Sequence, residues 1–228
     1  MSKISLKHSG GNVVSLNSPT SAPTSADVAF KLPNADGSSG QFMKTDGSGN
    51  LSFGAVTDNN TWVKLATTTV SSNVSVVEFT NSITGAFDTY KIYALSITQY
   101  VGAVDNHEIF ARIRDSSGSY TSSVYQTRRM TDQGNYNNDN LTHFPVTYNG
   151  IGNATYEDAH SLIYMYNFET SRYFKFRYQT TFTDAAGSFR FQNGAGGVRV
   201  ATETTGITFY SPGGDISNGI FTLYGIVT

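Results

Sequence analysis

The clearest alternation of apolar and polar side chains in the chain lies in residues 174–182. Every second position carries an aromatic ring or a threonine, and three of the positions between carry long polar side chains: Phe174, Lys175, Phe176, Arg177, Tyr178, Gln179, Thr180 and Phe182. Successive side chains of a β-strand point to opposite faces of its sheet. The pattern therefore predicts a strand with one buried and one solvated face.

Similar but shorter patterns recur from Trp62 to the end of the chain. The predicted strands are 74–80, 90–98, 109–114, 119–130, 162–168, 189–191, 198–200, 207–209 and 219–227. Residues 131–139 are polar throughout and are predicted to form a long loop, and residues 192–197 a tight glycine turn. No segment sustains a helical period. About eight or more strands with turns between them indicate an all-β fold, an antiparallel sandwich of jelly-roll type, although strand order is not readable.

Residues 1–55 have a different composition, with few large apolar side chains. Ile4 and Leu6 before Gly10–Asn12, and Val13 to Leu16 after it, predict two short strands joined by a turn. Residues 18–26 carry two prolines among small polar residues and are predicted to be an extended linker. Residues 28–32 predict a third strand, and the Asp-Gly sequences at 36–37 and 46–47 predict turns.

The first 55 residues cannot bury enough apolar surface alone to offset their chain entropy. They are either disordered or completed by other chains. Their regular alternation favours completion by other chains, because disordered segments usually lack such patterning. We therefore expect a homotrimer built on residues 1–55, followed by an independent head domain over residues 56–228.

The segments 32–41 (LPNADGSSGQ) and 44–53 (KTDGSGNLSF) together resemble a module of tailed-bacteriophage fibre and virion-appendage proteins, especially those of marine cyanophages. The opening segment 4–12 is similar to the same group. Residues 87–92, 112–120 and 216–226 resemble a phage β-sandwich domain that often follows the module. The resemblance implies a virion structural role, commonly as a trimer, without a catalytic centre.

Composition and charge exclude several other classes of protein. The chain has no cysteine, so disulfides, thiolate catalysis and cysteine-ligated zinc are ruled out. Its formal net charge is -2, and its Arg128–Arg129 pair is isolated, so we expect no nucleic-acid partner. The first residues lack the apolar run of a signal peptide, and no stretch reaches the length of a membrane span. These features predict synthesis in the host cytoplasm without membrane insertion, and the resemblance implies a final location on the virion exterior, at the tail or the capsid.

The 14 tyrosines raise the option of contact with a host-surface glycan or receptor. Tyrosine combines an apolar ring with a polar tip, which suits binding to sugars, although it is also a favoured strand residue. The candidate glycan contacts are the tyrosines in or beside polar loops: Tyr120, Tyr125, Tyr136, Tyr148 and Tyr156.

The sequence predicts no catalytic residue, cofactor or metal. Its four histidines lack metal-binding spacing, with His8 the one candidate for a site on a trimer axis. Residues 132–139 lack the spaced ligands of a calcium loop. A glycosidase would need two facing carboxyl groups, and none of the candidates is paired by sequence: Asp105, Glu108, Asp115, Glu157, Asp158, Glu169 and Asp184.

Three functions remain from these observations. The first is a trimeric tail fibre or spike that adheres to the host and attaches to other virion proteins through residues 1–55. The second is a capsid decoration or head-fibre protein, which would also be a trimer with the same sequence pattern. The third is a polysaccharide-degrading enzyme, which is disfavoured because the chain lacks the repeats of a long β-helix.

Overall fold

The computed structural model of the protein describes residues 3–17, 20–21, 29–55, 61–84, 87, 89–168 and 172–227. These residues form two compact units, one within residues 1–59 and one within residues 60–228. Most of the predicted linker at 18–26, Val28 of the predicted third strand and Glu169 lie outside the described residues.

The first unit consists of two short antiparallel hairpins. β1 (Lys3–Lys7) pairs with β2 (Val13–Asn17) through the predicted turn, and β3 (Gln41–Thr45) pairs with β4 (Leu51–Ala55). The turn between β3 and β4 is organised by Asp46, whose carboxylate accepts hydrogen bonds from the amides of Ser48 and Asn50. Gly47 and Gly49 in this turn have φ of 80° and 87°, which glycine adopts without strain. Instead of the predicted third strand, the structure has a single bridge from Lys31 to Asn50.

No described side chain of the first unit is buried. Its large apolar residues are instead exposed, with Ile4 67%, Leu6 71%, Leu16 72% and Leu32 77% accessible to solvent. In the register of β1 and β2, Ile4 lies opposite Leu16, so both project from the same face of the hairpin. The expectation that this segment cannot build its own core is met by these exposures.

The second unit contains thirteen strands and one helical turn among its described residues. Their bounds are β5 (Trp62–Val70), β6 (Val76–Thr80), α1 (Asn81–Thr84), β7 (Ile92–Gly102), β8 (Phe110–Asp115), β9 (Gly118–Ser119), β10 (Tyr125–Thr131), β11 (Gly134–Leu141), β12 (Phe144–Pro145), β13 (Ala159–Tyr166), β14 (Lys175–Thr183), β15 (Phe189–Val198), β16 (Gly206–Tyr210) and β17 (Ile216–Ile226). The prediction of an all-β antiparallel protein is confirmed.

The strands form two sheets. The wider sheet has the order β11-β10-β15-β14-β13-β7-β17-β5, and the narrower one has the order β12-β8-β16-β6 with β9 paired to β8. Every pairing between these strands is antiparallel. From β5 to β8 the chain alternates between the two sheets, and later it returns so that β16 and β17 each lie between earlier strands.

The core lies between the two sheets and is rich in aromatic rings. Phe144 of the narrower sheet stacks on Phe176 of the wider one with ring centroids 4.0 Å apart, and Phe209 meets Phe221 at 5.7 Å. The alternation predicted for β14 is confirmed, because Phe176, Tyr178, Thr180 and Phe182 are buried and the residues between them are exposed. The strand predicted over residues 162–168 corresponds to β13 (Ala159–Tyr166), which lies between β14 and β7.

The prediction of a long loop over residues 131–139 is wrong. These residues belong mostly to β10 and β11, which form a hairpin that turns at Asp132–Gln133. β11 is the edge strand of the wider sheet and most of its residues are exposed. A strand solvated on both faces needs no apolar alternation, and therefore its sequence resembles that of a loop.

The predicted glycine turn at residues 192–197 is also wrong, because these residues lie inside β15. A Cβ atom on Gly194 would come within 2.6 Å of the Tyr178 hydroxyl, and one on Gly196 would overlap the carbonyl oxygen of Gln126. The glycines are thus required by the close approach of aromatic rings and a neighbouring backbone, which is a recognised use of glycine within strands.

We predict that Gly196→Ala destabilises the second unit by about 2–4 kcal/mol, because the new methyl group has no space next to rigid backbone. Ala195→Ser, at the adjacent exposed position, should change the stability by less than ~0.5 kcal/mol. Urea unfolding followed by circular dichroism measures both. Equal stability of the two variants would contradict the tight packing at Gly196.

Candidate functional site

Several loops of the second unit meet at one end of the sandwich, which we call the loop end. It comprises the turn between β10 and β11, residues 150–158 before β13, and residues 184–188 between β14 and β15. The register brings these segments together, since Thr131 lies opposite Gln192 and Ala159 lies opposite Phe182. Loops held by a rigid sheet are a common location for binding residues.

Arg190 joins two of these segments through a pair of ion pairs. Its Nε lies 2.7 Å from Oδ2 of Asp184, and its Nη1 lies 2.8 Å from Oδ2 of Asp132. Arginine suits this role because its planar guanidinium presents several donors in fixed directions. The pair fixes the tip of the β10–β11 hairpin to the turn after β14.

Asp184 is buried and organises the turn that follows β14. Its Oδ1 accepts hydrogen bonds from the amides of Ala186 and Ser188, at 3.0 and 2.9 Å. The Ser188 amide, followed by the Arg190 guanidinium, holds the pKa of the Asp184 carboxyl below its usual value. Asp184 is consequently ionised at neutral pH and cannot act as a proton donor there.

Asp132 accepts a second hydrogen bond, from the hydroxyl of Tyr148. Desolvation acts to raise the pKa of Asp132, but the bonds from Tyr148 and Arg190 outweigh it and hold this pKa below its usual value. Burial, together with the adjacent carboxylate, raises the pKa of Tyr148 to about 12. Tyr148 therefore stays protonated and keeps donating to Asp132.

An aromatic surface lies next to this ion network. The rings of Tyr136 and Tyr148 stack with centroids 6.2 Å apart, and the Arg129 guanidinium lies 5.4 Å from the centroid of the Tyr136 ring. Tyr148 also packs edge-on against Phe182 of the core at 5.8 Å. The stacked rings are therefore anchored to the sandwich, while Tyr136 is 37% exposed.

Glu157 and Tyr156 lie in the loop before β13. The Glu157 carboxylate accepts a hydrogen bond from the Ala154 amide and occupies the space that a Cβ atom on Gly152 would need. Gly152 in turn bonds through its amide to the carbonyl of Thr183, next to Asp184. Tyr156 is 96% exposed and has φ of 76°.

The five predicted tyrosines thus separate into two groups. Tyr136, Tyr148 and Tyr156 lie at the loop end, whereas Tyr120 follows β9 and lies beside β8, where its amide donates a hydrogen bond to the carbonyl of Ile113. The prediction for Tyr125 is wrong, because its side chain is completely buried. Its hydroxyl donates to the Tyr120 carbonyl and accepts from the Ile113 amide, and burial raises its pKa. A tyrosine beside a polar turn can serve the core when its hydroxyl finds backbone partners.

The other candidate carboxylates have local partners, and two of them, Asp105 and Asp158, lie at or contact the loop end. Asp115 caps the turn at Ser117, Asp158 pairs with His160 at 3.0 Å, and Asp105 accepts a bond from the Asn153 amide. Among the described carboxyl groups, Glu108 has a raised pKa. Burial raises this pKa, and the positive charge of Arg129 opposes the effect only in part. Nowhere in the described parts of the chain do three His, Asp or Glu side chains converge as metal ligands.

The histidines also have local partners. Nδ1 of His8 accepts the Gly10 amide within the β1–β2 turn, and His143 stacks on Phe110 with centroids 3.8 Å apart. Burial, followed by the charges of Arg112 and Arg129, lowers the pKa of His143 to about 4. His143 is therefore neutral at physiological pH.

Sequence reasoning did not identify Arg129 and Arg190 as site residues. Each lies inside a strand whose neighbours gave no functional signal. The contact of Arg190 with Asp132 spans 58 positions of the sequence, so no local pattern indicates it. The available signal was the aspartate at the hairpin tip, which sequence analysis weighed as a calcium ligand. What the site offers chemically is a rigid surface with exposed aromatic edges, two carboxylates and two guanidinium groups.

No protein-family model matches the chain, and the searches of curated proteins and of solved structures likewise found no similar protein. Within the described residues, no helix is long and apolar enough to cross a membrane.

We predict that acid weakens the loop end through Asp184. Because the pKa of Asp184 is lowered by folding, its stabilising contribution is complete above the ordinary aspartate pKa and is lost as the pH falls through the lowered value. Asp184→Asn should therefore reduce the melting temperature at pH 7 and flatten its decline between pH 5 and pH 2. Differential scanning calorimetry over this range measures the effect. Asp115→Asn, in an exposed turn, is the control, and an equal flattening there would contradict the role of Asp184.

Proposed function

We propose that the protein is a structural component of a bacteriophage virion, a trimeric fibre or spike appendage that contacts the host surface. In this proposal the first unit joins copies of the chain to one another and to other virion proteins. The second unit is the exposed head on the outside of the particle. The observation that carries the proposal is the first unit, which combines the phage-like turn module with hairpins that bury none of their described side chains.

The exposed apolar face of the first hairpin supports association of copies. Leaving Ile4, Leu6 and Leu16 in water costs the free energy that burial would provide, roughly 1.5–3 kcal/mol for each large aliphatic side chain. Threefold association around such hairpins gives each strand apolar neighbours and turns the exposed face into a shared core.

A second exposed apolar surface lies on the outer face of the wider sheet. Trp62 of β5 packs edge-on against Tyr224 of β17 and Tyr164 of β13, with centroids 5.5 and 5.9 Å apart. Trp62 remains 38% exposed. Such an aromatic cluster on an uncovered sheet face is typical of a protein contact surface and supports packing of head units side by side.

We infer that the sandwich is of jelly-roll type. The support is strand order: β5, β17, β7 and β13 are adjacent in the wider sheet, and β6, β16, β8 and β12 have the corresponding places in the narrower sheet. In this arrangement β10–β11 and β14–β15 are hairpins added to an eight-stranded double Greek key. The additions widen one sheet and supply most of the loop end.

The loop end supports the adhesion part of the proposal. Its aromatic pair, Tyr136 and Tyr148, and its charged groups are fixed by the sheet, so binding a sugar would cost little ordering entropy. An enzyme is less well supported, since Asp132 and Asp184 are both ion-paired to Arg190 and have lowered pKa values. A glycosidase needs one carboxyl group with a raised pKa as its general acid. The described carboxyl group with a raised pKa, Glu108, is not part of this pair.

We predict that Ile4→Asp combined with Leu6→Asp converts a trimer into monomers, because charged side chains cannot be buried in the shared face. Light scattering of the purified full-length protein should give three chains for the wild type and one for the variant. The variant should also fail to incorporate into phage particles.

The control for this experiment is Ser5→Asp, which adds a charge on the opposite face of the same strand and should remain trimeric. A monomeric wild type would refute the proposed assembly. Labelling the incorporated protein in electron micrographs of particles then separates a tail fibre from a capsid decoration or head fibre.

We also predict that Tyr136→Ala weakens adhesion of the protein to host cells by roughly tenfold, the effect of losing one aromatic contact worth 1–2 kcal/mol. Tyr166→Ala, at the opposite end of β13, should bind like the wild type. Flow cytometry with fluorescent full-length protein measures the binding. Adhesion unaffected by Tyr136→Ala would exclude the loop end as the contact site.

A further inference from the structure

A basic groove runs along the outer face of the wider sheet, above β15. Two shallow depressions form it and share Arg128. The first is lined by Gln126, Arg128, Tyr173, Phe174, Lys175, Gly196, Gly197, Val198 and Arg199, and the second by Arg128, Arg129, Met130, Asn135, Asn137, Arg177, Tyr178, Gln179, Asn193, Gly194 and Ala195. Five of these residues are Arg or Lys, and none of the described lining residues is Asp or Glu. The register turns Arg129 toward the inner face, which leaves Arg128, Lys175, Arg177 and Arg199 as the cations of the groove.

The groove follows from the register of three adjacent strands. Ala195 of β15 lies opposite Arg177 of β14 on one side and Arg128 of β10 on the other. With strands spaced about 4.8 Å apart, the two arginines are roughly 10 Å from each other at their Cα atoms. Short side chains on β15 thus form the floor, and long cationic ones on β14 and β10 form the walls.

The charges of the groove are largely uncompensated. Arg128 pairs with Asp139 at 2.9 Å. Lys175, Arg177 and Arg199, all exposed, make no salt bridge with any described carboxylate. In a chain with a formal net charge of -2, such separation of charge creates a local positive potential that attracts an anionic ligand.

We infer that this groove binds an acidic polysaccharide, a linear chain of sugars that carries carboxylate or sulfate groups. The cations would contact the anionic groups, and the amides of Gln126, Gln179 and Asn193 would hydrogen-bond to hydroxyl groups. The inference goes beyond the proposed virion role and does not depend on it.

Two other anionic polymers fit the groove less well. Single-stranded nucleic acid is usually bound by several stacking aromatic rings, whereas the one exposed aromatic side chain among the described lining residues is Tyr173. An acidic peptide cannot add to β15 as a further strand, because β15 is already paired with β14 and β10 on its two sides.

The test measures binding of the full-length protein to alginate, dextran sulfate and neutral dextran by biolayer interferometry at low and high salt. The wild type should bind the two acidic polymers, more weakly at high salt, and should not bind dextran. Lys175→Gln combined with Arg177→Gln should weaken binding about tenfold or more. Lys64→Gln combined with Lys91→Gln removes the same charge outside the groove and should stay within about twofold of the wild type.

A second variant, Ala195→Tyr, keeps every cation but fills the floor, and should weaken binding without changing the net charge. Melting temperatures establish that each variant is folded. The inference is overturned if the acidic polymers do not bind, if dextran binds equally well, or if the groove and control variants lose affinity equally. Tighter binding of an oligothymidylate, with the same sensitivity to Lys175→Gln and Arg177→Gln, would assign the groove to nucleic acid instead.

Discussion

The contact between the aromatic inner faces of the two sheets is the interaction on which the second unit depends. Phe144 and Phe209 of the narrower sheet meet Phe176 and Phe221 of the wider one, and these rings are buried completely or nearly so. Burying such rings supplies most of the free energy that a chain without disulfides has available. Because strand side chains alternate, fixing the inner face also fixes which side chains face outward. The basic groove and the Trp62 cluster both consist of side chains that this alternation directs to the outer face.

The size of the rings imposes a requirement on the neighbouring strand. Tyr178 and Phe176 of β14 extend over β15, where Gly194 and Gly196 leave room for them. The Tyr178 hydroxyl then accepts a hydrogen bond from Gln192, which is itself buried and donates to the Pro145 carbonyl. The Tyr178 hydroxyl thus has an internal partner, as most buried polar groups do. The strands β10, β15 and β14 therefore combine tight packing on their inner face with a charged groove on their outer face.

The two units reach order by different means. The second buries a continuous core of its own, whereas the described residues of the first are held by backbone pairing and by turns such as that at Asp46. A two-stranded hairpin is marginally stable alone in water. This contrast gives the proposed division of roles its physical basis. In that proposal the first unit gains stability from partner chains, and the second presents binding surfaces as an independent domain.

The amino-acid sequence by itself determined the all-β class, the weak core of residues 1–55 and the buried face of β14, because each depends on local composition or on a period of two. It could not reveal β11, since an edge strand exposed to water carries no apolar alternation. It also could not reveal the role of Gly194 and Gly196, because the rings that need this space lie on another strand. It also treated Arg128 and Arg129 as an isolated pair. Pairing register places Arg128 across from Arg177 on the outer face and turns Arg129 toward Tyr136 on the inner face. The basic groove and the Arg190 network join residues far apart in the chain, and only the tertiary structure decided them.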